Sequence, residues 1–102
     1  MRVYICGVPH EVIECDDKFN SEVHLGMIDF QMARIFINRE MSPEMKDETL
    51  CHEILHGILT HIGREDLSEQ EEFVTVMGNA IYQTFSIKKE MGAEERGGGF
   101  CE

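Results

Sequence analysis

The sequence predicts an α+β fold: a small, mostly antiparallel sheet of three or four strands, then two long helices. Three observations predict it. The β-rich runs all precede residue 40, the helix-period patterns all follow Ser42, and no repeat or linker separates them. At 102 residues one domain is expected. We place it over residues 1–91, with the Gly-rich, charged stretch 92–102 as a flexible C-terminal tail.

The elements follow in order. Arg2–Cys6 (RVYIC) is β-rich, and Glu11–Cys15 (EVIEC) alternates as a half-buried strand does. Gly7 and Pro9 between them suit a turn, giving a first hairpin. The polar DDKFNSE reads as a loop. Val23–Phe30 and Ala33–Asn38 make a second strand pair, in which Gly26 marks a bulge or a close backbone approach. Ser42 is placed to cap a helix with Pro43 at its first position and Glu44 in its first turn. That helix runs to about Ile62, where Gly63 stops it. GREDL is the connector. Ser68 then caps a second helix, with Glu71 three residues on as in a capping box. Phe73, Val74, Met77, Ala80, Ile81 and Phe85 recur at helical spacing as its buried face. Met27, Met32, Met45 and Met77 read as core filler. Cys51 reads as a buried thiol, and His10 and His24 as ordinary polar residues at strand ends or in loops.

The formal net charge is −11, and 42% of residues are hydrophobic. A globular chain this acidic matches neither a phosphate backbone nor an anionic membrane, and no apolar run reaches membrane-spanning length. The expected partner is therefore neither nucleic acid nor membrane. Cys6, Cys15, Cys51 and Cys101 form no C-x-x-C pair, and the N-terminal stretch lacks a signal-peptide pattern. The expectation is a cytoplasmic protein with reduced thiols.

The chemistry is concentrated in TLCHEILHGIL, where His52, Glu53 and His56 spell H-E-x-x-H. On a helix the two histidines lie only ~40° apart, so both imidazoles can meet one ion, and Glu53 lies ~100° from His52, beside the pair. From there it reaches a water without joining the ligands. Leu55, Ile58, Leu59 and Ile62 occupy the neighbouring face, which puts the histidines at the edge of a core. His61 is rotated ~140° from His56 and does not serve as a third ligand. Ile62 and Leu59 stand where a metzincin would need His and Gly. A carboxylate from the second helix remains, and Glu69, Glu71 and Glu72 are available.

On these residues the chain resembles a small gluzincin-type zinc metallopeptidase. It is similar to compact H-E-x-x-H proteins of phages and mobile elements, distant relatives of the ImmA/IrrE peptidases. LGMID…ARIFIN is similar to their strand pair, TLCHEILHGIL to their first motif, and EEFVTVMGNAIYQTF to their second helix. The resemblance implies one zinc per chain, held by His52, His56 and Glu71, with Glu53 as general base in peptide hydrolysis. Related gluzincins place the third ligand in an E-x-x-A-[DN] pattern, whose Glu is Glu71 here; Val74 replaces Ala, and Thr75 replaces the acid or amide. Thr75 is then left to support a ligand by hydrogen bonding. Glu72 and Glu69 are the alternative third ligands, and Glu71 also suits the capping box. Tyr82 is a candidate for steadying an oxyanion, or else a tyrosine at the core edge. The substrate is an unidentified peptide or protein, which an exposed edge strand at Ala33–Asn38 would align. The competing class is a non-catalytic metal-binding or protein-interaction module on the same fold.

Overall fold

A computed structural model describes residues 1–16 and 25–91. His24, Val23 of the expected third strand, all of the polar loop but Asp16, and the stretch 92–102 lie outside them. Four strands and three helices follow one another: β1 (Arg2–Ile5), β2 (Val8–Cys15), β3 (Gly26–Asp29), β4 (Arg34–Asn38), α1 (Pro43–His61), α2 (Glu65–Ser68) and α3 (Glu71–Thr84). The fold is α+β, as the order of the patterns predicts. No helix among the described residues is long and apolar enough to cross a membrane.

The sheet order is β1-β2-β4-β3. β1–β2 and β3–β4 are antiparallel hairpins, and β2 runs parallel to β4 between them, Glu11 opposite Arg34 and Cys15 opposite Asn38. The sheet is therefore mixed but mostly antiparallel. The first turn falls on Cys6 and Gly7, at φ 50° and 84°, and not on Pro9. Two consecutive residues with positive φ make the tight hairpin turn that matches strand twist. Pro9 is absorbed into β2 opposite Tyr4, just before the β4 ladder begins at Glu11. No β4 partner needs its missing N–H there.

Two expectations about the strands are overturned. Ala33–Asn38 is not an exposed edge: β4 lies between β2 and β3, and Ile35, Phe36, Ile37 and Asn38 are buried. Backbone hydrogen bonds join Arg2 and Glu90 in both directions, so the chain after α3 pairs with β1 at that point. β3 is the open edge among the described residues. His10, expected to be an ordinary polar residue, is buried, with Nδ1 2.9 Å from the Val8 carbonyl.

α1 lies between the sheet and α3. Val3, Ile5, Val12, Ile35, Ile37 and Leu50 form the core over the sheet, joined by Ile54 and Ile58. Leu55, Leu59 and Val74 form a second cluster with Leu67, Phe73 and Ile81. Leu50, Ile54 and Ile58 repeat every four residues on one side of α1, and Leu55 and Leu59 do so on another. A helix buried on two sides shows little amphipathic contrast. Ser42 caps α1 as expected, accepting from Met45 N–H, and Gly63 follows its end at φ 81°.

The second helical region departs from expectation. Part of the GREDL connector is helical, as α2, and Ser68 closes that short helix instead of capping the next. α3 starts at Glu71 after Gln70, with no side-chain cap, so the capping box does not form. Its buried positions are Val74 and Gly78, whereas Met77, Ala80 and Phe85 are exposed. Met27, Met32, Met45 and Met77 are 40–59% exposed, not core filler. Cys51 is buried, and burial pushes its thiol pKa up.

A close approach seats α1 on the sheet. A Cβ at Gly57 would stand 2.8 Å from Ile5 Cδ1 and 3.2 Å from Ile28 Cδ1. Gly57→Val should therefore lower the unfolding free energy by about 1–3 kcal/mol through overpacking. Urea denaturation in the presence of a chelator reads this; a variant as stable as the parent would show that the contact is not tight.

Candidate metal centre

The site lies along the seam where three elements meet. Around α1, the row His52–His56 falls between the Leu55–Leu59 row, which faces α3, and the Thr49–Glu53–Gly57 row, which faces β3. This setting leaves both imidazoles partly covered, with 25% and 14% of their side chains exposed. Their ring centroids are 4.9 Å apart.

Glu71 comes to them from the first residue of α3, where the exposed N–H groups and the helix dipole favour a carboxylate. Its Oε1 lies 2.9 Å from His52 Nε2 and its Oε2 lies 3.2 Å from His56 Nε2. One ligand atom from each of the three residues lies within 4.8 Å of the others, a set able to hold a metal ion. Tetrahedral zinc with bonds of ~2.0–2.1 Å needs ligand atoms ~3.4 Å apart, so small shifts would accommodate it. Two imidazoles and a carboxylate, with a cleft beside them, are a donor set suited to zinc with one position open. Glu69 and Glu72, the alternative third ligands, are exposed and take no part in this set.

Ser68, read from sequence as a helix cap, contributes differently. Its Oγ lies 2.9 Å from His56 Nδ1. If His56 Nε2 is to offer a lone pair to a metal, Nδ1 must carry the proton, and Ser68 Oγ accepts it. The sequence signal was there, a serine just before the glutamate helix, but a cap and a histidine support look alike until α2 is seen. Burial, assisted by His52, lowers the His56 pKa against the opposing pull of Glu71, which favours the neutral imidazole.

Glu53 is only 7% exposed. Burial, with the Glu71 charge adding to it, raises its pKa to about 7. It opens on a cleft of about 560 Å³, whose walls include Gly26, Glu48, Thr49, Thr75 and Asn79 as well as His52 and Glu71. A Cβ at Gly26 would stand 2.7 Å from Thr49 Cγ2, the close approach that the glycine in this strand suggests. Thr75 thus reaches the cleft, one turn beyond Glu71. Tyr82 does not line it. That residue lines a separate groove with Asp47, Phe85 and Lys89.

The family model described as the IrrE N-terminal-like domain, Peptidase_M78, matches residues 10–77, two thirds of the chain. No curated protein and no solved structure matches. The matched segment contains β4, α1 and the start of α3, and so all of His52, Glu53, His56, Ser68 and Glu71.

Two measurements probe this geometry. Ser68→Ala should weaken zinc binding by about tenfold or more, as loss of a histidine support does. Its cost in stability should be no more than about 1 kcal/mol. Unchanged zinc affinity in a competition titration would reduce Ser68 to a surface contact. The second concerns pH in metal-free protein. The folded Glu53 pKa of about 7 lies above its ordinary 4.5. The folded state therefore holds the proton more tightly, and stability falls as pH rises from ~4.5 to ~7, by up to about 3 kcal/mol. The Glu53 contribution, read as the difference between the parent and Glu53→Gln unfolding free energies, should fall across that range; the lowered His56 pKa tilts both proteins the other way and cancels in the difference.

Proposed function

The chain belongs to the Peptidase_M78 family, and on that premise we propose that it is a zinc-dependent peptidase. His52, His56 and Glu71 hold one zinc ion per chain, and Glu53 transfers the protons. The observation that carries this reading is the convergence of the Glu71 carboxylate on both imidazoles, with a second, buried carboxylate beside them at a pKa of about 7. When bound, zinc supplies a Lewis acid that acidifies water and polarises a peptide carbonyl.

The protein's own groups do the rest. Glu53 takes the proton from the attacking water and returns it to the leaving amine nitrogen. Its burial lets it accept and release that proton near neutrality. Ser68 fixes the His56 ring, and Thr75 stands one turn along α3 from Glu71 to support its carboxylate. The peptide or protein substrate adds as a strand to the open edge of β3, whose first residue walls the cleft. The partner is thus a polypeptide and neither nucleic acid nor membrane, in keeping with a net charge of −11. Thr75, at the position where related gluzincins carry Asp or Asn, favours one second reading: the same residues hold the ion without turnover.

Zinc-loaded protein should contain about one metal per chain, and His52→Ala should lose it. Glu53→Gln should keep zinc and lose peptide hydrolysis by about 10²–10⁴-fold. Zinc loss in Glu53→Gln would make that residue a ligand. Retained zinc with no hydrolysis by the parent, across an unbiased peptide library, would favour the non-catalytic reading. Among Glu69→Gln, Glu71→Gln and Glu72→Gln, only Glu71→Gln should lower zinc affinity steeply, which side-by-side titration decides.

A further inference from the structure

The cleft wall away from the histidines carries a carboxylate to which the chemistry above gives no role. Glu48 lies one turn before His52 on α1 and is half-buried in the cleft, whose wall also includes Asn79 of α3. Among the described residues it makes no hydrogen bond and no ion pair. The lysines paired beside it on α1 are taken: Lys46 by Glu14 at 2.9 Å, and Lys89 by its neighbour Asp47 at 2.7 Å. A carboxylate half-withdrawn from water in a concave site, with no cation supplied by its own protein, is a receptor for one from outside. The net charge of −11 favours the approach of such a partner.

Which residue of a peptide reaches Glu48 follows from strand direction. Gly26 lies against Thr49 and Ile28 against Gly57, so β3 and α1 run in the same sense. A peptide pairing with β3 in the antiparallel, more stable arrangement runs the opposite way. Its chain passes the histidines and then continues toward Gly26 and Glu48. Resting on the peptidase reading, we infer that Glu48 selects a lysine or arginine side chain immediately after the cleaved bond. Asn79 on the facing helix offers its amide oxygen to the same cationic head.

The test has two arms. A peptide library made by cleavage at glutamate is incubated with zinc-loaded protein, and new termini are read by mass spectrometry. Lys and Arg should be enriched about fivefold at the residue after the cut, the effect of one partly exposed ion pair. Glu48→Gln should erase the enrichment, and Glu48→Lys should turn it toward Asp. Cleavage without enrichment, or enrichment that survives in Glu48→Gln, overturns the inference. The second arm needs no turnover. Nα-acetyl-arginine amide is titrated into ¹⁵N-labelled protein, following the Thr49 and Asn79 amides. Shifts should saturate, with affinity about fivefold weaker for Nα-acetyl-norleucine amide and for Glu48→Gln. Equal shifts, or none, overturn the inference. A protein that binds the arginine amide at these positions yet cleaves no peptide fails as a peptidase while keeping the cation site. One that cleaves peptides without a basic preference does the reverse.

Discussion

The bridge from Glu71 to His52 and His56 joins two helices that the rest of the structure is arranged to bring together. Its two contacts, at 2.9 and 3.2 Å, span 19 and 15 residues of sequence. They need α3 to return antiparallel to α1 with its first residue above the histidine row. Leu55, Leu59 and Val74 hold that packing from below, with Leu67 of α2 against them. α2 sets the approach: it breaks the helical path after Ser68, so that α3 starts afresh at Glu71. Were α2 and α3 one continuous helix from Glu65, Glu71 would sit well past its first turn, without free N–H groups beside its carboxylate. The short helix and its missing cap therefore belong to the site, and Ser68, released from capping, is available to His56.

The sheet imposes the second constraint. Because β2 and β4 are parallel neighbours, the two hairpins face outward with β1 and β3 as edges. The β1 edge meets the returning chain at Glu90, where Arg2 also pairs with the Glu90 carboxylate. β3 is left beside α1, with Gly26 pressed against Thr49. Unpaired edges invite strand addition, and proteins blunt them unless they are used. Here the open edge borders the cleft, which ties the topology to the proposed placement of a substrate.

Much of this was legible in the sequence, for physical reasons that vary by element. The order of strands and helices follows from local periodicity, and the cap at Ser42 from a serine followed by proline. The His52–Glu53–His56 geometry follows from helix pitch alone. Glu71 was distinguished from Glu69 and Glu72 by pattern and resemblance. The errors came where a residue serves a distant partner. Ser68 and Glu71 have the spacing of a capping box but turn to α1, because two histidines offer better partners than their own backbone. Helical spacing alone puts the α3 face a little out of phase: the aromatic and Met positions suggest burial, while the contact centres on Val74 and Gly78. A glycine packed against His52 carries no hydrophobic signal. Strand order is non-local, so nothing in ARIFIN tells a central strand from an edge.

Charge explains why these parts form one site. Glu48, Glu53 and Glu71 share a cleft, and no lysine or arginine among the described residues lines it. Without a cation, the Glu71 charge raises the Glu53 pKa in the same direction as burial does. A divalent ion held by His52, His56 and Glu71 would reverse that balance, because opposite charge nearby favours the ionised carboxylate. Glu53 would then be held as a base below the value it has alone. His52, His56 and Glu71 would hold such an ion in place of their present contacts with one another. Glu48 stands a full turn from the ligand pair, so that ion would not neutralise it directly. The cleft therefore presents two separate demands for positive charge, one that a metal ion at His52, His56 and Glu71 would meet and one at Glu48, which the proposed substrate would meet.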